Sequence, residues 1–345
     1  RPFAAMISNL QPRPATPPHR IGRWLLRGLL LPIALYGGAA FWYSTLTPPM
    51  LRGVLAILFP ALLLLCLLVR PAAPRRIAIS CLLAAGLTWY LTDQPRNTRD
   101  WAAEYAVPAN VIFKGNTAYI ENIRNIRYKT PDDYTTQYYN AAFNTDDVTS
   151  VDLITSYWSG PAIAHVFLSF GFADGRHLAV SIETRRQKTF PYSAIAGFFH
   201  HYELFYVVAD ERDLIGVRTD IRKERVYVYH LDLSAKTRKA LFLNYLHAIK
   251  TLHDHPRWYN TLTTNCTTEI LTRAGAQLHW RFDWRVLLSG HTAALAYDLG
   301  LLDTHIPFAD LQRRSLIQRP EGATPDAPDY SASIRRGLPL PPSSE

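Results

Sequence analysis

Three apolar runs open the chain. Gly28 to Thr47 holds twenty residues without a charge, Gly53 to Val69 seventeen, and Ile77 to Thr92 sixteen. A bilayer-crossing helix takes about 20 apolar residues, and about 17 suffice. The first run is long enough, the second adequate and the third short. Trp42, Tyr43, Trp89 and Tyr90 stand near run ends, where interfacial aromatics collect. Pro48-Pro49 and the Arg70 to Arg76 stretch form the connecting loops. The pattern predicts a membrane anchor of three helices over residues 25–92, preceded by a cytoplasmic basic tail over 1–24. Arg13, Arg20, Arg23 and Arg27 precede the first run, and Arg70, Arg75 and Arg76 follow the second. Basic flanks stay in the cytoplasm, so three spans put everything after Asp93 outside an inner membrane. If the third run does not cross, that part is cytoplasmic. A cleaved signal peptide is the competing reading of the first run.

From about Asn97 the pattern turns mixed and polar. Val111-Ile112-Phe113 and Ala118-Tyr119-Ile120 flank Gly115-Asn116 and read as a hairpin. Residues 162–172 and 176–184 are predicted strands around Asp174-Gly175, and 204–209 and 225–231 two more. Over 236–252, Leu241, Tyr245, Leu246, Ile249 and Leu252 recur at helical spacing, and Pro256 closes the helix. The class expected is α+β, with an antiparallel sheet and a few helices in a globular part over 97–316. After Pro320 the chain is rich in Pro, Ser and charge, and 317–345 reads as a disordered tail.

The second hairpin carries more information. Val166, Leu168, Phe170, Phe172, Leu178, Val180 and Ile182 are apolar and even-numbered; His165, Ser169, Ser181 and Glu183 are odd-numbered. Opposed residues of an antiparallel pair share a face, so even must meet even. That requires a turn with an odd number of residues. Ala173-Asp174-Gly175, with Gly175 in the left-handed region, satisfies it. Val166 then opposes Ile182, and His165 opposes Glu183. A two-residue turn would scramble the faces. An imidazole beside a carboxylate is an oriented base, the arrangement of the second and third members of a triad. The competing reading of Glu183 is a solvated carboxylate on a polar face.

Composition narrows the remaining chemistry. The formal charge of +9 suits anionic lipid as well as nucleic acid. The chain shows no helix-turn-helix signal, zinc-finger spacing or RNA-binding aromatic signature, so nucleic acid is not an expected partner. Of three cysteines, Cys66 and Cys81 lie in apolar runs and Cys266 alone in the polar remainder, which precludes a disulfide framework there. His200, His201, His253 and His255 lack recognised metal spacing, and no metal or cofactor is expected.

Cys266 sits in the run Asn260 to Ile270. Thr264 or Asn265 is a fitting N-cap for a helix from Cys266 to Ala274. A thiol in the first turn feels the positive end of the helix dipole, and a protonated His lowers its pKa further. Free amides at such a start could hold an oxyanion. Spacing alone does not bring His165 near Cys266, and a lone Cys is commonly a small buried hydrophobe.

Four stretches carry a resemblance: RDWAAEY from Arg99, AHVFLSFGFADGRHLAVSIETRR from Ala164, YVVADERDLIGVRT from Tyr206 and WYNTLTTNCTTEI from Trp258. In this order they resemble the Lnb N-terminal periplasmic domain family, named for bacterial lipoprotein N-acyltransferases, from about Asn97 to Arg273. The resemblance implies a permuted papain-like fold in which His precedes Cys, with Cys266 as nucleophile, His165 as base and Glu183 as the orienting group. Asn265 and Tyr259 are implied as supporting residues. It implies an inner-membrane acyltransferase with a periplasmic catalytic domain. A thioester on Cys266 would carry an acyl group from membrane phospholipid to an amine such as a lipoprotein N-terminus. It does not cover the anchor, and the long membrane region expected after the domain in the acyltransferases is not seen. A cysteine peptidase or amidase of the envelope, and a non-catalytic tethered binding domain, are the alternatives.

Overall fold

The structure, a computed structural model, describes residues 19–275, 283–320 and 322–339. It divides into two compact units, 1–93 and 94–345. The first contains α1 (His19–Trp42), α2 (Pro49–Cys66) and α3 (Ala72–Thr92). Of the basic tail expected over 1–24, residues 1–18 lie outside the described part and 19–24 already belong to α1. Among the described residues only α2 is both long and apolar enough to cross a membrane; the apolar part of α1, Gly28–Trp42, is shorter. At 21 residues α3 would reach about 31 Å at ~1.5 Å per residue, but Arg75 and Arg76 occupy its first turns. Leu30, Ala34, Leu63 and Ile79 form the small core of this unit.

The second unit is built on one large sheet. Its strands are β1 (Asn110–Lys114), β2 (Thr117–Arg124), β5 (Tyr138–Asn144), β6 (Val148–Ser159), β7 (Ile163–Phe172), β8 (His177–Arg185), β9 (Glu203–Ala209) and β10 (Arg225–His230). They run in the order β1-β2-β9-β8-β7-β6-β10, with β5 also on β2; β3 (Arg127–Tyr128) and β4 (Tyr134–Thr135) pair separately. The expected antiparallel sheet is in fact mixed. β2 meets β9 in parallel through the single pair Arg124↔Ala209, because the connection between them returns to the same end of the sheet. β5 and β6 were not foreseen. In β6, Asp152, Thr155 and Ser156 are buried beside Leu153 and Ile154, and that erases the alternation a half-exposed strand would show.

Both faces of the sheet are covered. On one, Val166, Leu168, Phe170, Leu178, Val180 and Ile182 pack under α5 (Ala235–Asp254), α6 (Cys266–Arg273) and α8 (Thr292–Asp298). The residues expected to face in from α5, Leu241, Tyr245, Leu246, Ile249 and Leu252, are all buried there. On the other face Phe167, Ala179, Phe205 and Val207 pack with Leu214 of α4 (Glu211–Leu214) and with Ile317, Tyr330 and Ile334. The shorter helices α7 (Trp284–Leu287), α9 (Phe308–Ser315) and α10 (Tyr330–Ser333) complete the unit.

The disordered tail expected over 317–345 is corrected at 317–320 and 322–339; 321 and 340–345 lie outside the described residues. Its composition is polar, but its few apolar residues close the second core, and Arg335 neutralises two buried carboxylates. Arg335 reaches Asp152 Oδ2 at 2.7 Å and Glu211 Oε1 at 2.5 Å. Ser169 Oγ donates to Glu211 at 2.5 Å, and His230 Nδ1 lies 2.9 Å from Asp152. Burial pushes both carboxyls up, but Arg335 outweighs it and holds each below the usual range. Arg335→Ala would leave two buried carboxylates uncompensated. It is expected to destabilise this unit by roughly 3–5 kcal/mol at pH 7, checked by urea unfolding in detergent. Unchanged stability would mean that these charges are hydrated in solution.

Candidate active site

The turn between β7 and β8 closes as the pattern required. Gly175 adopts φ +82°, its N–H donates to Phe172 O at 2.9 Å, and Phe172 N–H donates to Arg176 O at 3.0 Å. The ladder then pairs Gly171 with His177, Phe170 with Leu178 and Leu168 with Val180. Continued by the same count, His165 stands across from Glu183. On its other side β7 runs regularly against β6 to Ser156↔His165, and there the register slips. A bulge re-aims side chains and is common beside active sites. Here it frees the strand end that carries His165.

α6 begins where expected. Asn265 is its N-cap, and Asn265 and Thr268 exchange side-chain-to-backbone bonds in a capping box. Cys266 and Ile270, four apart, share one helix face. Ile270 is buried against the sheet, and this seats Cys266 at the end of β7. The β7/β8 ladder stops at Leu168/Val180, and two residues farther on the N–H of Val166 donates to the Cys266 sulfur. The thiol is also within hydrogen-bond reach of the His165 imidazole. His165 Nε2 lies 2.6 Å from Ser181 Oγ and 3.4 Å from Glu183 Oε1. Nδ1 is therefore the nitrogen left for sulfur.

Glu183 differs in detail from the expected orienting group, because Ser181 stands between it and the ring. Ser181 Oγ donates to Glu183 Oε1 at 2.9 Å, and a protonated Nε2 can donate to Ser181 in turn. Two groups not foreseen hold the carboxylate. Arg218 Nη2 lies 3.2 Å from Oε1, and Tyr105 OH donates to Oε2 at 3.3 Å. The signal for both was present, since Tyr105 ends the first resemblance stretch and Arg218 lies in the third. Nothing in the pattern pointed to Tyr192, which lines the same cleft.

Asn265 and Tyr259 are near the thiol in different capacities. Asn265 Oδ1 accepts from Thr268 N at 2.9 Å and its Nδ2 donates to Thr261 O at 2.8 Å, so its amide is committed to capping. Tyr259 lines the cleft, and burial followed by the charge of Cys266 pushes its phenol up, so it stays protonated. Three of the four histidines considered for metal make other side-chain contacts. His200 stacks on Trp258, His201 stacks on Phe190 and His253 pairs with Asp254. Among the described residues no three His, Cys, Asp or Glu side chains converge as metal ligands.

Cys266, His165 and Glu183 open onto one cleft of about 530 Å³. Trp158, Ile163, Tyr192 and Leu287 line it and are largely exposed. One lip is fixed at Gly290, where an added Cβ would meet Pro161 O at 2.1 Å, and Gly290 N–H donates to Ala162 O at 3.0 Å.

The electrostatics favour charge separation. Burial pushes the Cys266 thiol up, but the bond to His165, the imidazolium charge and the N–H of Val166 outweigh it and leave the thiol below its ordinary value. Burial pulls His165 down, but its bonds to Cys266 and Glu183 carry it above the ordinary imidazole range. Burial raises Glu183, yet His165, Arg218 and Arg124 hold it well below the usual carboxylate range. All three directions favour an imidazolium-thiolate pair resting on an ionised carboxylate.

A family model of the Lnb N-terminal periplasmic domain matches residues 134–290. No curated protein and no solved structure matches the chain. The match includes Cys266, His165, Glu183 and Arg218, but not Tyr105 or the segment after residue 290. Residues 134–290 thus resemble the Lnb N-terminal periplasmic domain, and that match points to an envelope protein facing the periplasm.

The thiolate should form as pH rises through the lowered Cys266 value, and its imidazolium partner should be lost as pH rises through the raised His165 value. Alkylation of Cys266 by iodoacetamide is therefore expected to be fast at pH 6. His165→Ala removes the groups that outweigh burial and should slow labelling at pH 6 by about tenfold for each unit the thiol rises. Superimposable pH profiles for wild type and His165→Ala would rule out the pairing.

Proposed function

We propose that this protein is a membrane-anchored cysteine acyltransferase. The observation that carries the reading is the cleft of about 530 Å³ in which the Cys266 sulfur, bonded by His165 and the N–H of Val166, meets the apolar side chains Trp158, Ile163 and Leu287. The thiolate attacks the carbonyl carbon of an acyl ester, for which membrane phospholipid is the donor. Negative charge collects on the carbonyl oxygen, and the uncommitted N–H groups at the start of α6 stabilise it. The C–O bond then breaks, and the His165 imidazolium protonates the departing lysolipid alkoxide. An acyl thioester on Cys266 and a neutral imidazole remain. An amine, such as the N-terminus of a lipoprotein, attacks the thioester; His165 takes its proton, and the thiolate leaves. This is covalent catalysis in two steps with one base serving both. Glu183 and Ser181 keep Nε2 engaged, so Nδ1 faces sulfur.

The order of parts supports a permuted papain-like arrangement, since a strand bearing His precedes the helix that opens with Cys. We read α1, α2 and α3 as three spans of the inner membrane, with the N-terminus cytoplasmic and residues 97–316 periplasmic. Supporting this are the Arg-rich flanks and the apolar length of α2.

A hydrolase would make the same thioester and pass it to water. The test is to reconstitute the full chain in nanodiscs holding a phospholipid with a labelled acyl chain and trap the protein in acid. Hydroxylamine-labile label on the wild type, absent from Cys266→Ala, is the expected result. Adding a peptide with a free lipoprotein-type N-terminus should then yield labelled amide. Free fatty acid alone would establish the hydrolase reading. No label with any donor, together with an unreactive thiol, would leave a tethered binding domain.

A further inference from the structure

The segment after β10 and α9 returns to the second face of the sheet and grips one short stretch there. Leu316 bridges to Tyr227, and Ile317 N–H donates to Val226 O at 2.9 Å. Arg319 takes Asp220 in two prongs, Nε to Oδ1 at 3.1 Å and Nη2 to Oδ2 at 3.1 Å. Its Nη1 donates to Ser333 Oγ at 2.7 Å, and its guanidinium lies 4.8 Å over the Tyr330 ring. Tyr330 OH stands 3.2 Å from Thr219 Oγ1. A Cβ on Gly216 would come within 2.5 Å of the Pro325 ring, so Pro325 packs directly on the Gly216 backbone.

The gripped stretch is the single wide turn Val217–Ile221. Arg218 lies inside it, directly before Thr219 and Asp220. Its side chain bonds Leu214 O at 2.5 Å, lies 5.2 Å over the Phe167 ring and ends on Glu183. Such wide turns are rare and frequently occur at functional sites. Its own bonds are local: Arg218 and Thr219 N–H reach Ile215 O, Arg222 N–H reaches Val217 O, and Thr219 Oγ1 donates to Ile215 O, so its seating on the rest of the unit comes from side chains. The family match ends at residue 290, so the gripping segment is supplied from outside the matched domain.

We propose that residues 316–320 and 322–339 are a positioning clasp for the cysteine site: by holding Thr219 and Asp220 they fix Arg218 against Glu183, and Glu183 in line with the His165 imidazole. Arg319 and Tyr330 are the positioning residues. The inference rests on the proposed role of Cys266 and His165. The groups facing Glu183 are Tyr105 from the N-terminal connection, Arg124 of β2 with its partner Asp213, His165 of β7, Ser181 of β8, Arg186 just after β8, and Arg218.

Two effects of releasing Arg218 oppose each other. Loss of its charge would favour the imidazolium, whereas loss of Glu183 alignment would disfavour it. The short geometry from ring to Ser181 to carboxylate makes alignment the larger effect. Arg319→Ala in the full chain is therefore expected to move the acid limb of Cys266 alkylation toward higher pH, slowing labelling at pH 6 by about threefold to tenfold. Arg319→Lys should recover part of the loss. Tyr330→Phe, which removes one hydroxyl and no packing, should give about a twofold loss; it carries the test if Arg319→Ala does not fold. A purely structural clasp would lower the melting temperature and leave the pH profile unmoved. Superimposable profiles for both variants, or a shift to lower pH, would overturn the proposal. His165→Ala, run in parallel, separates the two claims: if it too leaves the profile unchanged, the Cys-His reading has failed rather than the clasp.

Discussion

The hydrogen bond from Phe172 N–H to Arg176 O, closed around a left-handed Gly175, sets the count on which the rest of the second unit depends. Three residues in the turn mean that even-numbered side chains of β7 and β8 lie together under α5 and α6. The odd-numbered ones then share the opposite face. One residue more or fewer would drive Phe170 and Leu178 to different faces and separate His165 from Glu183. Packing and site therefore enforce the same register. The apolar face supplies the larger free energy, at about 25 cal/mol for each Å² removed from water, and the imidazole-carboxylate pair is carried along with it.

The opposite face solves a different problem. It carries Ser169, Ser181, Glu183, Asp152 and Glu211, yet it is covered, and a buried carboxylate is tolerated only with a partner. Each has one. Arg335 serves Asp152 and Glu211, Arg218 serves Glu183, and Arg124 holds Asp213 at 2.9 Å. The arginines come from distant parts of the chain, so the polar face is assembled only when the whole unit has folded. The run Asp210-Glu211-Arg212-Asp213 gains its meaning here. Glu211 and Asp213 are buried ion-pair members, and Asp210 caps α4 by accepting from Arg212 N.

Much of this was legible in the sequence, in a specific way. The β1–β2 and β7–β8 hairpins, α5, and a helix starting at Cys266 follow from periodicity, turn residues and caps, all local signals. The meeting of Cys266 with His165 is not local; it depends on Ile270 packing against the sheet a hundred residues away in sequence. β6 escaped notice because it is buried on both faces, and burial on both faces removes the period of two. Composition misleads for the segment from Ile317 onward because it reports average polarity. Three apolar side chains and two arginines at the right positions are enough to seat it. Arg218 and Tyr105 could not be assigned by pattern, since each reaches Glu183 from a separate element.

The capping box at the head of α6 bears on the proposed reaction. Asn265 Oδ1 holds the first turn, its Nδ2 ties that turn to Thr261 O in the preceding loop, and Thr268 Oγ1 accepts from Asn265 N–H to close the box. The peptide dipoles at that helix start cannot swing to meet a new charge, nor can they relax when it leaves. In water, much of the cost of creating an oxyanion lies in turning solvent dipoles to face it. In the proposed acyl transfer that orientation is completed when the chain folds, and the medium around the carbonyl under attack would have little left to reorganise.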